Sequence, residues 1–185
     1  MREKQAVRKE MTSRLREQDF QLRVEGSGKI QKMLLTSEEY RNAGTVMTYV
    51  SLPLEVSTEY FIKETLRLRK KRVVVPYIGQ NDQEITASEL TEIENLEKGP
   101  HGAFQPKESR VKAVSLKEID LIVVPAVAFD KKNMRLGRGK GYYDRFLSKK
   151  DLSLAKTIGL AFRFQVLDQL PSCPYDKSVT RVITD

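Results

Sequence analysis

The sequence is poor in cysteine, with one residue of that kind, Cys173, in a chain of 185. An internal disulfide is therefore excluded, and a reducing compartment is the expected setting. Long apolar runs are missing as well. The longest, Leu121 to Phe129, falls far short of the roughly 18 residues that a bilayer-spanning helix requires. The charged beginning, Met1-Arg-Glu-Lys-Gln-Ala-Val-Arg-Lys, does not read as a secretion signal. Together these absences predict a soluble, cytoplasmic protein with no membrane partner. Internal repeats, low-complexity tracts and a convincing catalytic triad are also lacking, and so is the aromatic-interleaved basic stripe of a nucleic-acid binder.

A hydrophobic fraction of 39% and a charged fraction of 31% describe a globular chain rather than a disordered one. At 185 residues the whole of it, 1–185, is expected to form a single domain. The net charge of +8 suits an anionic partner: nucleic acid, membrane phosphate, a nucleotide or a polyanionic metabolite. The basic residues are spread along the sequence rather than held in one tail, which weakens the nucleic-acid reading.

Val7, Met11 and Leu15 recur among charges from Lys4 to about Gln18, the spacing of an amphipathic helix. Glu25-Gly-Ser-Gly28 is expected to break the pattern before a second helix containing Ile30, Met33, Leu34 and Leu35. Strands are predicted at Thr45–Ser51 and Val73–Ile78, with a helix from a Thr58 cap to about Lys70 between them. Strand, helix, strand implies a parallel sheet covered by helices. The polar stretch from Gln80 to Arg110 has no period and is expected to wander over one sheet edge. Ser115-Leu-Lys-Glu118 fits a capping box. It precedes Leu121-Ile-Val-Val-Pro125, a run apolar enough to be buried on both faces. A helix from Tyr142 to about Lys149 and strands at Thr157–Ala161 and Val179–Ile183 complete the reading. The fold class is α/β: a three-layer sandwich whose mostly parallel central sheet is flanked by helices.

Between the buried strand and the following helix lies a connection with glycines at 137, 139 and 141. From 131 to 145 it carries six basic residues, Lys131, Lys132, Arg135, Arg138, Lys140 and Arg145, against one acid, Asp144. Alternating glycines let consecutive backbone N–H groups converge on phosphate oxygens, and the helix beginning afterwards adds its positive end. The loop is neither a P-loop, since no hydroxyl residue follows Lys140, nor a dinucleotide fingerprint. Gly26-Ser-Gly-Lys29 fails the same test and reads as an interhelical turn. A plain basic connection with glycine caps is the competing account of 135–145.

The string Arg135-Leu-Gly-Arg-Gly-Lys-Gly-Tyr-Tyr-Asp144, with Phe129-Asp130 before it, resembles the signature of the 5-formyltetrahydrofolate cyclo-ligase family, also called methenyltetrahydrofolate synthetases. Lys4-Gln-Ala-Val-Arg8, Tyr49-Val-Ser-Leu52 with Glu55, Leu170-Pro171, Asp176 and Val182-Ile-Thr184 fall in the same order. The resemblance implies an ATP- and magnesium-dependent enzyme that closes 5-formyltetrahydrofolate to 5,10-methenyltetrahydrofolate and releases ADP and phosphate. It implies ATP contacts from Lys4, Gln5, Ala6, Val7 and Arg8 and from Arg135, Leu136, Gly137, Arg138, Gly139, Lys140, Gly141, Tyr142 and Tyr143. Arg138 and Lys140 would neutralise charge on the transferred phosphoryl group. Magnesium would be held by Asp144 and Asp176, and the folate contacted by Val50, Glu55, His101 and Tyr142. His101 stands where relatives usually carry an aromatic residue before the glycine, and Tyr175 where many carry histidine. The implied partners are the folate, with or without a polyglutamate tail, and ATP; nucleic acid and an obligate protein partner are not.

Two other classes stay open on the residues alone. A basic nucleic-acid module would bind without nucleotide and weaken steeply with salt. A sugar-phosphate or acyl-transfer enzyme would share the sheet and differ in chemistry.

Overall fold

The computed structural model describes residues 2–80, 84–100 and 102–185. Helix α1 (Arg2–Glu17) turns Met11 and Leu15 into the core. It ends where Asp19 caps α2 (Phe20–Thr36), its carboxylate accepting from Gln21 N at 2.8 Å and Leu22 N at 3.0 Å. The expected break at Glu25–Gly28 does not occur, and α2 runs through both glycines. Gly26 is there for proximity: a Cβ on it would meet Asp185 Oδ2 at 3.1 Å and the Phe162 ring at 3.3 Å. Glycine lowers helix propensity, but burial of the surrounding turn overrides it. Ser27 and Gln31 on this buried stretch accept from Ser57 N and Phe61 N.

The short α3 (Glu38–Asn42) leads to β1 (Thr45–Thr48), followed by α4 (Glu59–Leu68) and β2 (Arg72–Tyr77). Thr58 does occupy the N-cap position of α4, yet its hydroxyl makes no cap; it donates to Tyr49 O at 2.7 Å. The polar excursion resolves into β3 (Thr86–Glu89), antiparallel to β2, and a small hairpin of β4 (Leu96–Lys98) with β5 (Phe104–Pro106). The capping box at 115–118 does not form. Leu116–Glu118 is a single 3-10 turn with no side-chain cap from Ser115, and Glu118 pairs with Arg72 at 2.8 Å instead.

Strand β6 (Leu121–Val124) is buried throughout. Where the sequence suggested one continuous loop, a second sheet intervenes. It is built from β7 (Ala128–Asp130), β8 (Arg135–Leu136) and, after α5 (Tyr142–Leu147) and β9 (Lys156–Leu160), from β10 (Val166–Leu167). Strand β11 (Arg181–Ile183) closes the main sheet in the order β11-β9-β6-β1-β2-β3, parallel except for β3.

Side chains alternate across this sheet as the pleat requires. Val46, Val73, Val75, Leu121 and Val123 pack with Ile30, Leu34, Phe61 and Ile62 of the helices on one face. Met47, Val74, Ile122 and Val124 pack with Phe129, Phe146 and Leu152 on the other. The expected α/β architecture, a mostly parallel sheet between helices, is the one observed.

Candidate active site

The carboxyl ends of β1, β2 and β6 open into a cleft of ≈ 260 Å³. From β1 the chain passes to β2 on one side, while β6 lies on the other. Ligands of open α/β sheets bind at such switch points. Tyr49 and Val50 follow β1, Pro76 and Ile78 mark the end of β2, and Pro125 and Ala126 follow β6. Phe104 and Gln105 of β5 form another wall, and Arg135 through Asp144 supply the polar rim.

The rim is the glycine segment. Gly139 and Gly141 have φ of +101° and +70°, values that L side chains rarely adopt. Arg8 reaches across from α1 and donates through Nε to Gly137 O at 2.8 Å. One helical turn away, Lys4 pairs with Asp176 of the C-terminal segment. Buried Arg135 pairs with Asp144 at 2.5 Å, and Arg138 with Glu55 at 3.1 Å. Residues from the N-terminal helix, the β1 loop, the glycine segment and the C-terminal loop thus meet in one charged cluster. With six residues, α5 is too short for its dipole to dominate here, so the positive field comes from side chains.

The expected site residues divide accordingly. Lys4 and Arg8 reach the cluster, Val7 packs against the core, and Gln5 and Ala6 are exposed on the helix surface. Leu136 belongs to the core. Gly137, Arg138, Lys140, Gly141, Tyr142 and Tyr143 line the cleft, as do Val50 and Glu55. Gly139 lies against Arg8, whose guanidinium carbon a Cβ would meet at 3.5 Å. Tyr142 sits under the Arg145 guanidinium at 5.2 Å. His101 lies outside the described residues. Tyr175 is 84% exposed.

Burial raises the phenol pKa values of Tyr49 and Tyr143, and the nearby Glu55 carboxylate adds to both. For Asp176, burial acts to raise the pKa, but Lys4, the Cys173 amide and the Arg135 charge outweigh it and hold the carboxyl below its usual range.

Magnesium can be tested against the donors present. No group of three or more His, Cys, Asp or Glu side chains gathers among the described residues, so the chain holds no self-sufficient metal cage there. Magnesium needs none when phosphate oxygens complete its shell, since one or two carboxylates then suffice. Arg135 and the Lys177 amide both use Asp144 Oδ1, and Lys4 and the Cys173 amide both use Asp176 Oδ2. Each carboxylate keeps its other oxygen clear of hydrogen bonds among the described residues. Two hard oxygen donors beside a cationic loop fit the ion.

Several cleft residues carried no signal in the sequence. Gln105 ties the β4–β5 hairpin to the end of β2, its amide accepting from Ile78 N and donating to Ile78 O, both at 3.1 Å. This brings Phe104, half exposed, to the cleft wall. Ile85 joins from the segment before β3. All three lie in the stretch without period.

A mostly parallel α/β sheet with an apolar cleft at its switch point and a glycine-rich cationic rim has the architecture of an α/β enzyme. Residues 1–185 match the 5-formyltetrahydrofolate cyclo-ligase family over their whole length, and the chain belongs to that family of enzymes. It is 32% identical to the 5-formyltetrahydrofolate cyclo-ligase of Mus musculus, with 97% of this chain and 92% of the mouse protein covered. To the Haemophilus influenzae enzyme of the same name it is 32% identical over 75% of this chain and 74% of the other. Among solved structures, the 5,10-methenyltetrahydrofolate synthetase of Aquifex aeolicus superposes with a TM-score of 0.83 at 29% identity, covering 97% of this chain and 88% of that one. The synthetase of Mycoplasma pneumoniae gives 0.75 at 27% identity, with 98% of each chain covered.

Proposed function

We propose that the chain converts 5-formyltetrahydrofolate to 5,10-methenyltetrahydrofolate at the expense of ATP, with magnesium held by Asp144, Asp176 and the phosphates. The observation that carries this reading is the gathering of Arg135, Arg138 and Lys140 on the rim of an apolar cleft that holds Glu55, with Arg8 bonded to Gly137 of that rim and Lys4 paired with Asp176.

A formamide oxygen is a poor leaving group. In the proposed reaction it attacks the γ-phosphorus, ADP departs, and the formyl carbon becomes an iminium phosphate. The N10 lone pair of the same molecule then bonds to that carbon, N10 gives up its proton, and phosphate leaves with the former formyl oxygen. Because the second nucleophile is part of the substrate, the protein's task is alignment, which alone can supply a large share of the acceleration.

Phosphoryl transfer depends on positioning and on neutralising spread negative charge. That is the role assigned to Arg138 and Lys140, both of which line the cleft. Bound magnesium would neutralise charge on the β- and γ-phosphate oxygens. Glu55, 10% exposed, accepts from Leu52 N at 2.9 Å, which fixes its carboxylate to take the donor edge of the aminopyrimidinone ring. The apolar walls take the ring faces and exclude water.

The test is spectroscopic. Purified protein with 5-formyltetrahydrofolate should develop the long-wavelength absorbance of the methenyl product only when ATP and magnesium are both present. No change with folate known to be active, or an equal change without ATP, would refute the reading.

A further inference from the structure

Tyr49 and Tyr143 line the same cleft beside Glu55, yet their hydroxyls are treated differently. That of Tyr49 donates to Val56 O at 2.8 Å and holds the β1 loop. That of Tyr143 is buried and has no hydrogen-bond partner among the described residues. Its ring is fixed, edge to Phe146 with centroids 6.5 Å apart and under the Arg135 guanidinium at 5.8 Å. A buried hydroxyl without a partner destabilises the fold that carries it. Such a group in a cleft wall points to a ligand that completes it.

We propose that the Tyr143 hydroxyl donates to the ring carbonyl oxygen of the pterin, the acceptor next to the N–H edge that Glu55 takes. This rests on the folate reading above and extends it to a residue that distinguishes pterins.

The chemistry of the edge supports the assignment. An aminopyrimidinone presents an amino group and a ring N–H, both donors, followed by a carbonyl oxygen, an acceptor. An ionised carboxylate can only accept, so Glu55 matches the donors and leaves the oxygen unmet. Of the rim arginines, Arg135 is committed to Asp144, and Arg138, which the ligand displaces from Glu55, is assigned to the transferred phosphoryl group. Tyr143 supplies a neutral donor for a neutral acceptor within an apolar wall, where a matched pair is strong and a mismatch costly. Replacing the carbonyl by an amino group sets a donor against the phenol and also removes the ring N–H that Glu55 takes, so the two side chains discriminate together.

The full-length protein and its Tyr143→Phe variant are titrated calorimetrically, without nucleotide, with 5-formyltetrahydrofolate and with the analogue carrying an amino group in place of the ring carbonyl. The wild type should favour the carbonyl form by about tenfold or more. The variant should bind that form about tenfold more weakly and narrow the preference by the same factor, leaving only the part that Glu55 sets. Its Tm should stay level or rise, because the orphan hydroxyl is gone. A preference undiminished in the variant, or a Tm lower by several degrees, would overturn the assignment while leaving the cyclo-ligase reading intact. Failure of the wild type to bind either compound would sink both.

Discussion

Lys140 and Asp144 are one helical turn apart in sequence, but their surroundings make their replacement two different experiments. Lys140 is exposed on the rim, so Lys140→Ala should leave Tm within about 2 °C of wild type, as surface changes usually do. Loss of a cation placed on developing charge should lower turnover by about 10²-fold or more. Asp144 is the partner of an Arg135 side chain that is 3% exposed. Removing it leaves a buried charge uncompensated, a cost of about 3–5 kcal/mol. Asp144→Ala should therefore lose both activity and several degrees of Tm. Steady-state rates and melts on both variants separate the roles, and wild-type rates in Lys140→Ala would contradict the placement. At this scale the sequence was informative where composition was unusual. Three alternating glycines among cations marked the rim, and the family resemblance picked Lys4, Arg8, Glu55 and Asp176 from far away in the chain. Phe104, Gln105 and Ile85 were invisible, because nothing local says that a glutamine amide will clamp the backbone of Ile78.

Among the elements, β3 is the antiparallel edge that borders the cleft side of β2, and a charge cluster fastens it. Glu89 pairs with Arg72 at 3.0 Å and Lys112 at 2.9 Å. The Lys112 hydrogen bond is the main force holding the Glu89 carboxyl below its usual range, with Arg72 adding to it against burial. A carboxyl with a depressed folded-state pKa contributes stability above its unfolded value, about 4.3, and loses it as pH falls through the lower folded value. Glu89→Gln should accordingly lower Tm by about 2–4 °C near pH 7, if the cluster is worth the roughly 1 kcal/mol typical of partly exposed pairs. The two melting curves should converge once pH falls below the lowered folded-state value; a gap that persists in acid would show that packing rather than charge is at work. Elements with a clear period or a continuous apolar run were legible, β1, β2, β6, β9 and α1 among them. The two- and three-residue strands β7, β8 and β10 were not, since pieces so short are fixed by pairing partners distant in sequence. The run through Gly26 and Gly28 misled for a related reason: tertiary packing against Phe162 overrides a local helix-breaking signal.

In the molecule as a whole, the Arg138–Glu55 pair joins the residue proposed to meet phosphate to the one proposed to meet the pterin. Either ligand must separate it, so the first to bind meets the cost and the second is spared it. A non-hydrolysable ATP analogue should then raise affinity for 5-formyltetrahydrofolate several-fold, and Arg138→Met should shrink that coupling toward unity. Titrations of one ligand at fixed levels of the other check it; independent binding in the wild type would contradict it. The order of the sheet was not written in the sequence, but its parallel character was. Alternation of strand and helix dictates crossovers, and a run such as Leu121–Val124 demands cover on both faces.

The claim on which the rest depends is that the formyl oxygen itself accepts the phosphoryl group. The direct measurement uses 5-formyltetrahydrofolate labelled with ¹⁸O in the formyl group, turned over with ATP and magnesium, and mass analysis of the phosphate released. The account predicts that each phosphate carries the label. Unlabelled phosphate, with the ¹⁸O recovered in water, would contradict it.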